Sequence, residues 1–374
     1  ETVMDEVASA LGIDPVEIRK CNAVRTGDKM TNGDEWPEMA IVEVLDALES
    51  HPVWKEREAA RANGRGVGIA VGAWGGATGS SAASCTLDRD GKLVVHLGAV
   101  DLTGTSTTFA LLAGEAFGVD EDSVRVLVGD STTAPFSGPS GGSKITYTVG
   151  PAVLQAAQEA REQTLAIAAE EFEADAADLY ISQGTVRVRG VPDRQIALSD
   201  IAAKTMGFSS EYPPVLGHGR HTNTKRAPVF CAQLAEVEVN QETGHTVVRQ
   251  LVIVQDVGRA INPLVVRGQL VGGAAQGSGW ALYENLLYDH SGQLLTGSWM
   301  DYVIPHAQQV ADYVDTVLLE VPSEHGPFGA RGVGEPPIIA TAAAVANAIA
   351  DATGVRPNSL PMSPPRVLAA LNEE

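Results

Sequence analysis

A chain of 374 residues with 44% hydrophobic content can bury a large core, and its length predicts two to three domains of ordinary globular composition. The 47 acidic residues against 26 basic ones leave a formal charge of −21, which argues against nucleic acid or an anionic membrane as the main partner and fits acid spread over the surface for solubility. Three distant cysteines, Cys21, Cys85 and Cys231, contain no Cys-x-x-Cys pair, so no iron–sulfur cluster or zinc ribbon is expected on this chain, and a reducing, cytoplasmic setting fits best.

The chain opens at Glu1 without a Met and already inside a helical pattern, as expected of a fragment or of one half of a split protein. Val3, Val7, Ala10 and Leu11 recur at helical spacing and Gly12 stops that helix. Asp14 and Pro15 restart it as N-cap and first residue. Residues 1–62 therefore read as a helical segment ending in a charged linker. Two related units follow, over 63–222 and 223–374, and the class is α+β. In the first, Ser84–Val100 alternates around Asp88-Arg89-Asp90-Gly91 and predicts a β-hairpin. A helix follows, with Phe109, Leu112, Ala113, Ala116 and Phe117 on one face and Gly118 at its end. Then come a strand over Val124–Val128, a β-like stretch over Lys144–Val149 and a long helix near Ala152–Phe172. The second unit repeats the plan. A hairpin over Leu234–Asp256 turns at Glu242-Thr243-Gly244, and a small-residue helix carries Leu270, Ala274, Gly277 and Ala281. A hairpin around Gly292 and a helix over Ile338–Ala352 complete it.

Three segments hold residue types suited to chemistry. The run His325-Gly-Pro-Phe-Gly-Ala-Arg-Gly-Val333-Gly334-Glu335-Pro336-Pro337 sets one carboxylate at the edge of a nearly bare loop. Pro336 is expected to hold Glu335 extended, and Pro337 to open the next helix. On the residues alone, Glu335 either presents a general base or caps that helix. The loop Ser140-Gly141-Gly142-Ser143 offers hydroxyls and backbone amides to a polar cofactor or to phosphate oxygens; the alternative is a plain surface loop. In Asn262-Pro263…Gly268-Gln269…Gln276, amides could face a ligand, although spacing alone favours tight helix packing. The eight histidines show no metal-ligand spacing, and no protein ligands to a metal are expected.

Taken together, these segments resemble the molybdopterin-binding subunits of the xanthine dehydrogenase and aldehyde oxidase family, in the family's order and over nearly the whole chain. Val333-Gly334-Glu335-Pro336-Pro337 looks like its active-site signature, and Asn262-Pro263…Gln269…Gln276-Gly277 is similar to its cofactor-binding helix. Ser140–Ser143 with Gly150-Pro151-Ala152-Val153 matches its pterin-contacting loop, and Met4-Asp5…Asp14-Pro15…Asn22 a segment near the middle of the full-length subunit. The resemblance implies that Glu335 is the catalytic base. Cofactor contacts are implied for Thr103, Gly104, Ser140, Gly141, Gly142, Ser143, Gln269, Val333 and Gly334. It further implies a molybdenum hydroxylase that oxidises a carbon of an aldehyde, purine or N-heteroaromatic compound with water as oxygen source. The cofactor is a molybdenum–pterin, with the cytosine dinucleotide as one form. Implied partners are the N-terminal half of the subunit and separate iron–sulfur (2Fe–2S) and flavin (FAD) subunits. Where the family often has Gly-Gln-Gly, this chain has Leu102-Thr103-Gly104, which puts the glutamine's cofactor contact in doubt. Two other readings stand beside this one. Gly138-Pro139-Ser140-Gly141-Gly142 fits a serine hydrolase elbow, with Asp256 and His325 in a permitted order. A scaffold that only docks partners is the third.

Overall fold

The structure is a computed structural model and describes residues 1–373. Its N-terminal segment carries five helices, α1 (Thr2–Leu11), α2 (Pro15–Cys21), α3 (Ile41–Ser50), α4 (Pro52–Lys55) and α5 (Arg57–Ala62), with a non-helical stretch over 22–40 that holds a bridge between Lys29 and Glu35. Gly12 ends α1 at φ 66°, and the Asp14 side chain accepts from the Val16 amide at 2.8 Å, as the sequence predicts.

The first unit contains β2 (Gly79–Leu87), β3 (Leu93–Leu97), α6 (Thr105–Phe117), β4 (Val124–Val128) and α7 (Ile145–Phe172), and ends at β8 (Leu216–Asn223). A small sheet of β5 (Leu179–Ser182), β6 (Thr185–Val188) and β7 (Val191–Ala197) with α8 (Leu198–Met206) is inserted between α7 and β8. The second unit contains β9 (Val229–Val239), β10 (Thr246–Asp256), α9 (Pro263–Leu282), α10 (Ala307–Val310), β11 (Tyr313–Leu319), α11 (Pro336–Ile339), α12 (Thr341–Thr353) and α13 (Pro364–Leu371). The repeated plan is visible in the pairing. In each unit a hairpin leads through a crossover helix to a strand parallel to the hairpin's second arm: β3 with β4, and β10 with β11.

One strand crosses the expected division at 222 and 223. The strand β1 (Arg65–Trp74) precedes the first hairpin yet pairs antiparallel with β9, whereas β8 closes the first unit and pairs there with β2. The sheet orders are β1-β9-β10-β11 and β4-β3-β2-β8, so the first sheet is inserted between two neighbouring strands of the second. β1 and β8 both carry a Gly-x-Gly pair for the same reason. A Cβ on Gly66 or Gly68 would strike the α12 backbone at Ala348, and one on Gly217 or Gly219 the α7 backbone at Ala156 or Ala152.

The two sheets differ in burial. In β2, buried and half-buried positions alternate, as in a sheet with one face on the core, here against α6 and α7. The β1–β9–β10 sheet is covered twice: by α9 and α12 on one face, and by Val16, Val44, Leu45, Leu48 and Trp54 of the N-terminal helices on the other. That explains why β9 reads as a continuous apolar run. Among the described residues no helix is long and apolar enough to cross a membrane.

Two local expectations fail. Lys144–Val149 is not β-like, because α7 begins at Ile145 and runs through Pro151. Gly150 admits Pro327 and Leu112 where a Cβ would stand, so packing overrides the β-branched residues here. The expected helix 338–352 is broken at Ala340 into α11 and α12.

Candidate active site

Four distant segments line one cavity of ≈ 240 Å³: the entry to α6, the 140–146 loop and first turn of α7, the entry to α9, and the 330–335 loop. Of the expected residues, Thr103, Ser140, Gly141, Ser143, Gln269, Val333, Gly334 and Glu335 line it directly. Gly104 stands just behind, as the φ 71° N-cap of α6 against Val265. Gly142 is at the centre of the contact between loops.

That contact fixes Glu335. The Gly142 amide donates to Glu335 Oε1 at 2.9 Å, the Ser143 hydroxyl donates to Oε2, and Ser143 Oγ accepts from the Glu335 amide at 2.9 Å. Glu335 is therefore not extended, as expected, but helical at φ −95° and ψ −29°. Its three bonds to the 142–143 loop offset the preference of a pre-proline residue for extended backbone. Nor does its side chain cap α11; it crosses to a loop 192 residues away. Gly332 permits this approach, since a Cβ there would collide with the Ser143 carbonyl.

The backbone around the cavity is strained. Thr103 and Ser143, both in its lining, lie at positive φ (64° and 56°), a region that side chains with a Cβ seldom adopt. Trp74 braces the middle loop, its indole N–H donating to the Gly142 carbonyl at 3.3 Å. Beneath the 330–335 loop, Arg331 is buried against Asp256 at 3.1 Å and donates to the carbonyls of Val321, Pro228 and Glu38. Asp256 also accepts from the amides of Gly258 and Val321. Burial pushes the Asp256 carboxyl above its ordinary range, against the pull of those amides and of Arg331. Asp101, its counterpart at the end of the first hairpin, is instead exposed. The Ser106 amide holds its carboxyl below the ordinary range as it caps α6.

The hydrolase arrangement is not assembled. Ser140 follows a loop and not a strand, and Asp256 is committed to Arg331 and two amides. No hydrogen bond joins Ser140, Asp256 and His325 among the described residues.

The donor set suits a large polar group that brings its own metal ligands. The walls offer bare backbone at Gly141, with open space where its Cβ would stand, and the Gln269 amide, which makes no hydrogen bond among the described residues. No cluster of three His, Cys, Asp or Glu side chains suited to a metal occurs among the described residues. Residues 46–311 match a family model described as a molybdopterin cofactor-binding domain. The chain belongs to the molybdopterin cofactor-binding domain family. Among its relatives are the gamma subunit of the 6-hydroxypseudooxynicotine dehydrogenase complex of Paenarthrobacter nicotinovorans (30% identical, 99% of this chain, 49% of the relative) and the xanthine dehydrogenase molybdenum-binding subunit of Escherichia coli O157:H7 (30%, 98% and 51%). The crystal structure of quinoline 2-oxidoreductase from Pseudomonas putida 86 superposes with a TM-score of 0.87 at 28% identity, covering 100% of this chain and 51% of that one. The chain spans about half the length of the curated relatives it matches.

Two supports of the cavity were not read from sequence: the brace from Trp74 and the pairing of Arg331 with Asp256. The glycine-rich setting of Trp74 is the one signal for them. The ion pair joins chain segments far apart in sequence.

Proposed function

We propose that this chain is the half of a molybdenum hydroxylase large subunit that carries the catalytic base, Glu335. The observation behind this reading is the carboxylate of Glu335, held at two oxygens by Gly142 and Ser143 at the wall of a cavity lined by the glycine loop and Gln269. Bare backbone at 140–142 and 332–334, with the Gln269 amide, would hold the pterin, and Thr103 would replace the family's glutamine with a shorter polar contact. When bound, the molybdenum–pterin group supplies the two-electron oxidation of a substrate carbon with oxygen drawn from water. Glu335 takes up the proton released as that oxygen is activated, and its two fixed hydrogen bonds keep the accepting oxygen oriented. The substrate classes that the family resemblance implies are N-heteroaromatic compounds, purines and aldehydes. The upstream half of the subunit, together with iron–sulfur and flavin subunits, completes the enzyme and takes the electrons away. Three free cysteines, two of them buried, fit a cytoplasmic setting.

The test is Glu335→Gln in the assembled complex. Molybdenum content is expected to stay at the wild-type level while turnover falls by orders of magnitude. Near-normal turnover in that variant removes Glu335 as the base. A stable wild-type complex that holds no molybdenum, made in a host that supplies the cofactor, removes the hydroxylase reading.

A further inference from the structure

A glutamine sealed inside a sheet is unusual, since its amide carries two donors and a carbonyl acceptor that bulk water can no longer serve. This chain seals two of them, Gln233 of β9 and Gln255 of β10, both with 0% exposure. They project to one face. Along these strands Cys231, Ala235, Leu251 and Ile253 pack in the core under α9 and α12, while Ala232, Leu234, Val252 and Val254 pack under the N-terminal helices. Strand alternation places Gln233 and Gln255 with the first set. Cys231 pairs with Gln255 and Gln233 with Ile253, so the two glutamines are diagonal neighbours, about 7–8 Å apart and within reach of each other's long side chains.

Only part of this amide pair is used. Gln233 Nε2 donates to the Pro337 carbonyl, and it lies 4.0 Å from the sulfur of Cys231, the residue directly across from Gln255. Gln233 Oε1, Gln255 Oε1 and Gln255 Nε2 make no hydrogen bond among the described residues. Three such atoms left unmet in a packed interior are strongly unfavourable. Neither upstream sequence nor a partner subunit can meet them, because neither side chain has any exposed surface. What meets them is small and internal. A single water has the complementary set: its oxygen accepts from Gln255 Nε2, and its two hydrogens serve the two Oε1 atoms.

The carbonyl that Gln233 holds belongs to the turn that presents Glu335. Pro336 and Pro337 have no amide proton, so this turn is not fixed by their own backbone donors. It is anchored from two sides instead. Gly142 and Ser143 hold the Glu335 carboxylate, and Gln233 holds the Pro337 carbonyl, to which the Thr341 hydroxyl also donates at 3.3 Å. We propose that Gln233 and Gln255 hold one buried water between their amides, and that this link positions Glu335 by fixing the Gln233 amide on the Pro337 carbonyl. Neither glutamine lines the cavity, so both act through the turn and not on the reacting atoms. The part played in turnover rests on Glu335 being the base, as proposed above; the water site does not.

A high-resolution crystal structure of this chain is expected to show one ordered water within hydrogen-bond distance of both amides. Direct contact between the amides, or no ordered water there, overturns the site. Gln255→Met supplies the energetic test, because a methionine of similar length needs no partner. Were the Gln255 amide unmet, Met would be the better residue and the denaturant midpoint would rise. With the link in place Met strands Gln233 Oε1, so the midpoint is expected to fall, and the Gln233→Met/Gln255→Met pair is expected to lose less than the two single losses added together. A raised midpoint in Gln255→Met, or additive losses, overturns the link. In the assembled complex both single variants are expected to lower kcat roughly tenfold with KM unchanged, as fits an interaction that matters in the transition state. Ile253→Val, a core truncation on the same face, is expected to lower the midpoint and leave kcat unchanged. Wild-type kcat in Gln255→Met, or an equal loss of kcat in Ile253→Val, overturns the positioning role. Retained turnover in Glu335→Gln removes the base assignment alone, since the water and the midpoints are read on this chain without turnover.

Discussion

Ser143 offers a direct test of how the base is held. Its hydroxyl donates to Glu335 Oε2 and its oxygen accepts the Glu335 amide, while its own backbone lies at φ 56°. Ser143→Ala removes both bonds and keeps the backbone strain. A hydrogen bond to a charged group contributes about 1.5–3 kcal/mol and a neutral one about 0.5–1.5 kcal/mol, and water in the open cavity returns part of this, which leaves a net loss of about 2 kcal/mol. If that loss falls on the orientation of the carboxylate, turnover drops roughly thirtyfold, at about 1.36 kcal/mol per factor of ten. Ser143→Gly removes the same oxygen but also the Cβ. Left-handed backbone costs a residue with a Cβ about 1–2 kcal/mol, and the extra freedom of glycine in the unfolded chain offsets about 0.5–1 kcal/mol of that relief. The Gly variant should therefore be at least as stable as the Ala variant, by about 0–1.5 kcal/mol, yet equally impaired in turnover. Denaturant midpoints followed by tryptophan fluorescence give the first quantity, and steady-state rates of the assembled complex the second. Turnover within threefold of wild type in both variants, or a Gly variant less stable than the Ala variant, would refute the reasoning.

The remaining expectations concern the buried ionisable groups. Arg331→Met leaves Asp256 buried without its counter-charge and should destabilise the chain by about 3–5 kcal/mol near neutral pH. The sign with pH follows from the raised Asp256 carboxyl. The folded chain holds that proton more tightly than the unfolded one, so the unfavourable contribution is absent below the ordinary carboxylate range and grows as pH rises through the raised value. Without Arg331 to lower it the carboxyl rises further, so the variant's deficit against wild type should shrink between pH 7 and pH 5; a deficit that widens on acidification contradicts the assignment. Burial pushes the thiols of Cys85 and Cys231 up to about 12, whereas Cys21 is exposed. A thiol reagent at pH 8 should label one cysteine in the native chain and three in denaturant, and fast native labelling of Cys85 or Cys231 would speak against the packing described here.

Much of the fold was legible because local rules carry it. Asp90-Gly91 and Thr243-Gly244 announce both hairpins, and Gly12 and Gly118 announce helix ends that take up left-handed backbone as required. The beginning of α7 was not legible. Thr146, Thr148 and Val149 are β-branched and Pro151 removes an amide, so local preference opposes a helix that Pro327 and Leu112 hold in place across Gly150. The site was legible as three segments, because glycine density and the Glu335-Pro336-Pro337 run are properties of short sequence. What joins them was not. The bonds from Ser143 to Glu335 and from Arg331 to Asp256 connect residues with no common pattern.

The pairing of β1 with β9 changes what the two units are. The sheet of the first is complete within residues 79–223, so that unit is an insertion between two neighbouring strands of the second. The second cannot complete its sheet without a strand from the far side of the insertion, and a cut near residue 222 would leave β9 with a bare edge open to aggregation. Pairing β1 with β9 also requires the chain between Trp74 and Val229 to be looped out, an entropic toll that is lowered once the inserted unit has folded and brought its ends together. The outer sheet is thus a clasp that closes on a module already held within it.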